Sequence, residues 1–305
     1  MKPFRIATRG SPLALWQAHH VANLLAPLMG QRQVELVMIE TEGDRIRDKA
    51  LSQIGGDGLF TKEVQRAVLE DRADLAVHSL KDLPTTPQKE FALGAVPERG
   101  PAGDAFVSRK YRTFAELPQG AAVGSSSLRR RSQLLYQRPD LQVTPLRGNV
   151  DTRIRKLETE NLDAIILAEA GLRRLGLDAL IMEILDRSWM LPAVGQGALG
   201  LECRANDQES LHLLEPLNHQ ETRCAVLAER AFLRCLGGGC LVPIGALAEV
   251  RGKTLILRGA VLPLDGSRRI AGEREGPMED PETLGASLAK QMLDSGAGEV
   301  LSRAK

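Results

Sequence analysis

Lysine is scarce in this chain: of 40 basic residues, ten are lysine and 30 are arginine, and the net charge of the 305 residues is only +1. A near-neutral chain exerts no overall pull on nucleic acid or on an anionic membrane surface, so neither is expected as a partner. Cysteine is also sparse. Cys203, Cys224, Cys235 and Cys240 show no CxxC spacing and have no HxxxH nearby, which argues against zinc. In a reducing compartment they are not expected to form structural disulfides either. No apolar run is long enough to span a bilayer. The opening MKPFRIATRG lacks the apolar stretch of a secretion leader, so a cytoplasmic protein is expected. Nucleotide signatures are missing too. GGDGLFTKE (55–63) is glycine-rich but lacks the GK[ST] ending, and GxGxxG does not occur; the segment reads as a mobile loop.

What is present is an alternation of strand and helix signals, the mark of an α/β fold. FRIATRG (4–10) reads as a strand. SPLALWQAHHVANLLAPL follows as a helix, with Ser11 as its N-cap and Pro12 in its first turn. QVELVMIET (33–41) is a strand, TKEVQRAVLEDR (61–72) a helix that Thr61 could cap, and ADLAVHSL (73–80) a strand. The plan then repeats: AAVGSSSLRRRSQLLYQ (121–137) echoes 4–18, and TRIRKLETENLDAIILAEAGL (152–172) parallels 62–80. Two similar lobes are therefore expected, one at 1–97 joined by 198–216, the other at 103–191. VPERGPAGDAF (96–106) reads as a crossing between them and LPAVGQGALGLECR (191–204) as the return. From about residue 220 the pattern changes to helix, three strands alternating with the turns RGK and PLDGS, and a closing helix. That is a small α+β domain, 220–305, with a three-stranded antiparallel sheet.

Arginines and hydroxyls gather where strands give way to helices: Arg9 and Ser11; Ser125, Ser126, Ser127, Arg129, Arg130 and Arg131; Arg147, Arg153 and Arg155; Arg173 and Arg174. Such turns offer free backbone N–H groups and the positive end of a helix dipole. The guanidinium fork matches a carboxylate as well as a phosphate. Any one of these arginines could simply pair with a surface Glu or Asp; the recurrence at comparable turns favours anion binding. HSLKDLP (78–84) puts His78, Lys81 and Asp82 where a strand runs out, the end at which α/β sheets bind ligands. Asp82 there could act as a base or offset developing positive charge, or form a plain Lys–Asp surface pair. His78 is expected to pack within the sheet edge. Finally, AERAFLRCLGGGCLVPIGA (228–246) stops a helix with three glycines immediately before Cys240. Cys203, Cys224 and Cys235 read as buried structural residues.

RIATRGSPLALWQA, GDGLFTKE, ADLAVHSLKDLP, DAFVS, GSSSLRRR, LRGNVDTR, AIILAEAGLRRLGL, LPAVGQGALGLECR and GGGCLVPIGA, in this order over essentially the whole chain, closely resemble the porphobilinogen deaminase (hydroxymethylbilane synthase) family. The resemblance implies two lobes like those of type II periplasmic binding proteins, plus a third, cofactor-bearing domain, and favours a monomer. It implies an enzyme that joins four porphobilinogen molecules head to tail, releasing ammonia each time, on a dipyrromethane cofactor attached by a thioether to Cys240. Asp82 would be the catalytic carboxylate, binding pyrrole N–H groups, stabilising the cation left when ammonia departs and assisting proton transfer. Lys81, Ser127, Arg129 and Arg130, with Asp82, would bind the cofactor. Arg9, Ser11, Arg147, Arg153, Arg174 and Gln196 would bind substrate. Each pyrrole unit brings two carboxylates, which explains the arginines.

One segment departs from the family. Its loop often reads KIGGKGLF, and here it reads QIGGDGLF, so Gln53 and Asp57 stand at two lysine positions and those lysine contacts do not carry over. Two other readings compete. A non-catalytic bilobed binding protein for a small carboxylate would suit the lobes and arginines but gives Cys240 no purpose. A cysteine hydrolase would need a histidine partner, and none follows His219.

Overall fold

A computed structural model of the chain describes residues 2–45, 58, 60–238 and 242–303. It is a mixed α/β structure that divides by contacts into two units, residues 1–100 with 198–223, and residues 101–197 with 224–305.

The first unit holds a five-stranded sheet in the order β2-β1-β3-β10-β4. β1 (Phe4–Arg9), β2 (Val34–Ile39) and β3 (Leu75–Ser79) are parallel, while β10 (Leu199–Arg204) runs antiparallel between β3 and β4 (Phe91–Ala95). α1 (Pro12–Leu25) follows β1. Ser11 Oγ accepts from Ala14 N–H, satisfying one orphan donor of the first turn, with Pro12 just inside. Gln17, Ala18, Val21 and Leu25 make its buried stripe, packing with Phe4, Ile6, Leu75 and Leu201. α2 (Lys62–Leu69) covers the other face with Val64, Ala67 and Val68. Thr61 sits at its N-cap position, but its hydroxyl makes no capping bond. Its backbone is helical, which aims the side chain away from the first turn; the hydroxyl donates instead to Gly58 C=O. β3 is the middle strand of the sheet, so His78 is central and buried rather than at an edge.

The second unit repeats this order as β7-β6-β8-β5-β9. β6 (Ala122–Gly124), β7 (Gln142–Thr144) and β8 (Ala164–Ala168) are parallel, and β5 (Asp104–Val107) is antiparallel to β8 and to β9 (Glu183–Ile184). α3 (Leu128–Gln137), capped by Ser127, follows β6, as α1 follows β1. α4 (Val150–Thr159), capped by Asn149, leads into β8, and α5 (Glu169–Arg174) leaves it. In each sheet the antiparallel strand is the one reached by a crossing segment.

The rest of the second unit is a three-stranded antiparallel sheet, β11 (Ile244–Arg251), β12 (Thr254–Val261) and β13 (Ile270–Pro277). It is covered by α7 (Gln220–Cys235) and α8 (Pro281–Asp294) around Phe232, Leu255, Leu257 and Leu288. α6 (Gln208–Leu214) belongs to the first unit. Among the described residues no helix is long and apolar enough to cross a membrane.

Candidate active site

In the first unit the parallel strands deliver their carboxyl ends to one edge. β1 ends at Arg9. β3 ends at Ser79 and turns through a single 3₁₀ turn, Leu80–Asp82. That turn is fixed from three sides: Leu80 N–H donates to Ala198 C=O at 3.0 Å, Ser79 Oγ accepts from Gln17 Nε2 at 2.8 Å, and the Leu80 side chain is buried. Asp82 is thereby held half-buried beside a pocket that Arg9, Ser11, Gln17, Phe60 and His78 also line. The Arg9 guanidinium lies over the Phe60 ring, 4.2 Å from its centroid, a cation–π contact that orients the fork. Behind the pocket wall, His78 Nε2 is buried 3.3 Å from Glu202 Oε2, and Gln65 donates to the same oxygen at 2.9 Å. Lys81 lies in the same turn as Asp82.

In the second unit β6, β7 and β8 likewise bring Ser127, Arg147 and Arg174 to one edge of the sheet. Arg129 and Arg130, in the first turn of α3, are 4% and 5% exposed. Both forks close on Asp104, a fully buried carboxylate at the start of β5. Arg129 Nη1 is 2.6 Å from Oδ2, and Arg130 Nη2 is 2.7 Å from Oδ1. Arg129 Nη1 also donates to Leu191 C=O and Arg130 Nη1 to Ile166 C=O. Despite its burial the two guanidiniums hold Asp104 far below the usual carboxylate range. Gln196 is buried, and its amide donates to Ala102 C=O, Gly103 C=O and Asp104. Ser127 Oγ caps α3, and Arg153 Nε donates to Gly148 C=O. Arg173 pairs with Glu169 and Asp178, the surface ion pairing that competed with anion binding in the sequence.

The donors left over suit a polycarboxylate. Arg129 Nε and Arg147 Nη1 are buried without a hydrogen-bond partner. Arg174 Nη2 donates to Gly197 C=O, and burial pulls its guanidinium down to about 10. Two guanidiniums against one carboxylate leave the Asp104 cluster one positive charge in excess. Among the described residues no three His, Cys, Asp or Glu side chains could hold a metal ion. Cys240 lies outside the described residues, as do Gln53 and Asp57. The helix before Cys240 ends where expected. Gly237, at φ +66°, follows α7, with Gly237 N–H to Arg234 C=O and Gly238 N–H to Leu233 C=O, the paired bonds of a Schellman cap. Sequence reading passed over Asp104, Glu202 and Gln65. An Asp opening an otherwise apolar strand, DAFV, was the available signal for the first; the other two look like ordinary surface residues until the sheet brings them together.

Comparison with known families settles the broader identity. The dipyrromethane cofactor binding domain of porphobilinogen deaminase matches residues 4–212, and the porphobilinogen deaminase C-terminal domain matches residues 223–294. The chain belongs to the porphobilinogen deaminase family. Membership brings the dipyrromethane cofactor and a place in tetrapyrrole biosynthesis. Solved structures of similar fold include a putative methionine-binding lipoprotein from Bacillus subtilis (12% identity, TM-score 0.45, covering 72% of this chain and 90% of that one). The periplasmic VFT2 domain of BvgS from Bordetella pertussis is another (14%, 0.41, 69% and 84%). A nutrient binding protein from Burkholderia cenocepacia, bound to methionine, is a third (13%, 0.43, 70% and 90%).

Proposed function

We propose that this chain is a hydroxymethylbilane synthase: it joins four porphobilinogen molecules head to tail, with loss of ammonia at each addition, on a dipyrromethane held through a thioether at Cys240. The observation that carries the reading is the carboxylate of Asp82, fixed on the turn after the central strand and sharing its pocket with Arg9 and Ser11, in a chain matched by both family domains. When bound, the dipyrromethane supplies the primer pyrrole from which the product grows. Arg129, Arg130, Ser127 and Lys81 hold its carboxylates. Arg9, Ser11, Arg147, Arg153, Arg174 and Gln196 serve the acetate and propionate arms of substrate.

Asp82 does the proton work. Its carboxylate accepts pyrrole N–H groups and faces the positive charge that develops on the substrate methylene as ammonia leaves. Once the carbon–carbon bond forms, it takes the proton displaced from the attacking pyrrole carbon, and that proton ends on the released ammonia as ammonium. The Arg9–Phe60 stack keeps a carboxylate-binding fork at the same pocket.

Intact mass tests the covalent claim. The purified protein should exceed its sequence mass by about two pyrrole units, and Cys240→Ala should lack that excess; an unmodified chain that still consumes porphobilinogen would sink it. For Asp82, Asp82→Asn should keep the fold and bind porphobilinogen while turnover falls by about 10²–10⁴-fold, the range for loss of a positioned acid–base group. Turnover within a few-fold of the parent would remove Asp82 from this role.

A further inference from the structure

We propose that Asp104 is a positioning residue for the dipyrromethane, setting both the orientation and the charge of the Arg129–Arg130 pair. The identity of the ligand rests on the function proposed above. Asp104 opens β5, and the residues after it, Ala105, Phe106 and Val107, are all buried and apolar. Nothing in that strand calls for a carboxylate, and burying one is costly unless it is paired. Because β5 runs antiparallel to β8, Asp104 lies opposite Ala168, at the carboxyl end of the parallel strands where ligands gather.

Its two oxygens accept five hydrogen bonds. Oδ2 takes Arg129 Nη1, and Oδ1 takes Arg129 Nη2, Arg130 Nε, Arg130 Nη2 and Gln196 Nε2, at 2.6 to 3.2 Å. The carboxylate thus fixes both guanidinium planes and the amide of the return crossing together. It also neutralises one of two adjacent cations. The remaining positive charge, with the buried and unbonded Nε of Arg129, is what a single ligand carboxylate would complete.

The test uses full-length protein made in cells that cannot supply porphobilinogen, then given porphobilinogen. Thermal midpoint and the rate of mass gain per folded chain are followed together. Asp104→Glu keeps the charge but moves the carboxylate by one methylene. It should fold with a midpoint a few degrees lower, yet gain mass at least ten-fold more slowly than the parent. Asp104→Asn removes the carboxylate while leaving both guanidiniums, and should lower the midpoint further and load no faster than Asp104→Glu. Either variant loading at the parental rate, corrected for folded fraction, would overturn the positioning role and leave Asp104 a structural ion-pair member. A parental chain that gains no pyrrole mass would instead remove the proposed function, and this inference with it.

Discussion

At the scale of single residues the thiols separate by environment. Cys203 is fully buried in the first sheet, and burial pushes its thiol up to about 11; Cys224 is buried under the C-terminal sheet; Cys235 is exposed. The sequence suggested burial for all three. Cys224 and Cys235 stand eleven positions apart, about three helical turns, so periodicity places them on one stripe of α7. The stripe outruns the core in the last turn, where Leu236 is the buried residue instead. Thiolate is the reactive form, so reagent reactivity follows exposure and pKa. With the proposed thioether in place at Cys240, iodoacetamide at pH 8 should modify Cys235 alone, with Cys203 and Cys224 reacting only after denaturant is added; peptide mass mapping reads the result. Native-state labelling of Cys203 would contradict its burial. The arginines teach the complementary point. Their gathering at strand-to-helix turns was legible in the sequence, but Arg129 and Arg130 are spent largely on Asp104, a partner 25 residues away that only the sheet topology brings near.

At the scale of elements, the Ser11 cap expected from the sequence formed, and the backbone entering its helix is extended. Ser11 and Ser127 both precede their helices in β conformation, and both side chains accept from the third residue on. Thr61 enters already helical, and there the same residue type fails to cap. The glycines before Cys240 divide their work in a way the letters GGG could not reveal. Gly237 takes the left-handed conformation that ends α7, with open space around it, while Gly238 packs closely on Leu233, Val242 and Ile244. Gly237→Ala therefore meets no steric obstacle and costs only backbone strain, about 1 kcal/mol. Urea unfolding should register that loss with no change in the cofactor mass. A loss several times larger would mean that the turn carries contacts beyond its conformation.

At the scale of the whole molecule, the weak internal echo in the sequence becomes two sheets of the same order, each completed by an antiparallel strand from a crossing segment. The order of strands was beyond the sequence, because every α/β unit shares the same local pattern. The two units differ in their carboxylates, and this has a measurable consequence. In the second unit Asp104 is fully buried, and its pKa is lowered by Arg129 and Arg130, which outweigh the opposing burial. In the first unit Asp74 is lowered by hydrogen bonds from Arg5, at the end of β1 away from the pocket, again against burial. A carboxyl whose folded pKa lies below its unfolded value of about 4 stabilises the fold above that pH. The contribution is lost as pH falls toward the folded pKa. These groups therefore give no slope between pH 5 and 7 and a falling stability below about pH 4. The loss should continue to lower pH in the second unit, where two guanidiniums hold Asp104 far below the usual carboxylate range. The chain has two tryptophans, Trp16 in the first unit and Trp189 in the second, so Trp189→Phe and Trp16→Phe variants each report on one unit. Urea midpoints measured from pH 7 to pH 3 should keep a constant difference above pH 5 and both fall below pH 4, with the Trp189 signal falling further. A difference that stays constant down to pH 3 would mean that Asp104 stabilises the first unit as much as its own.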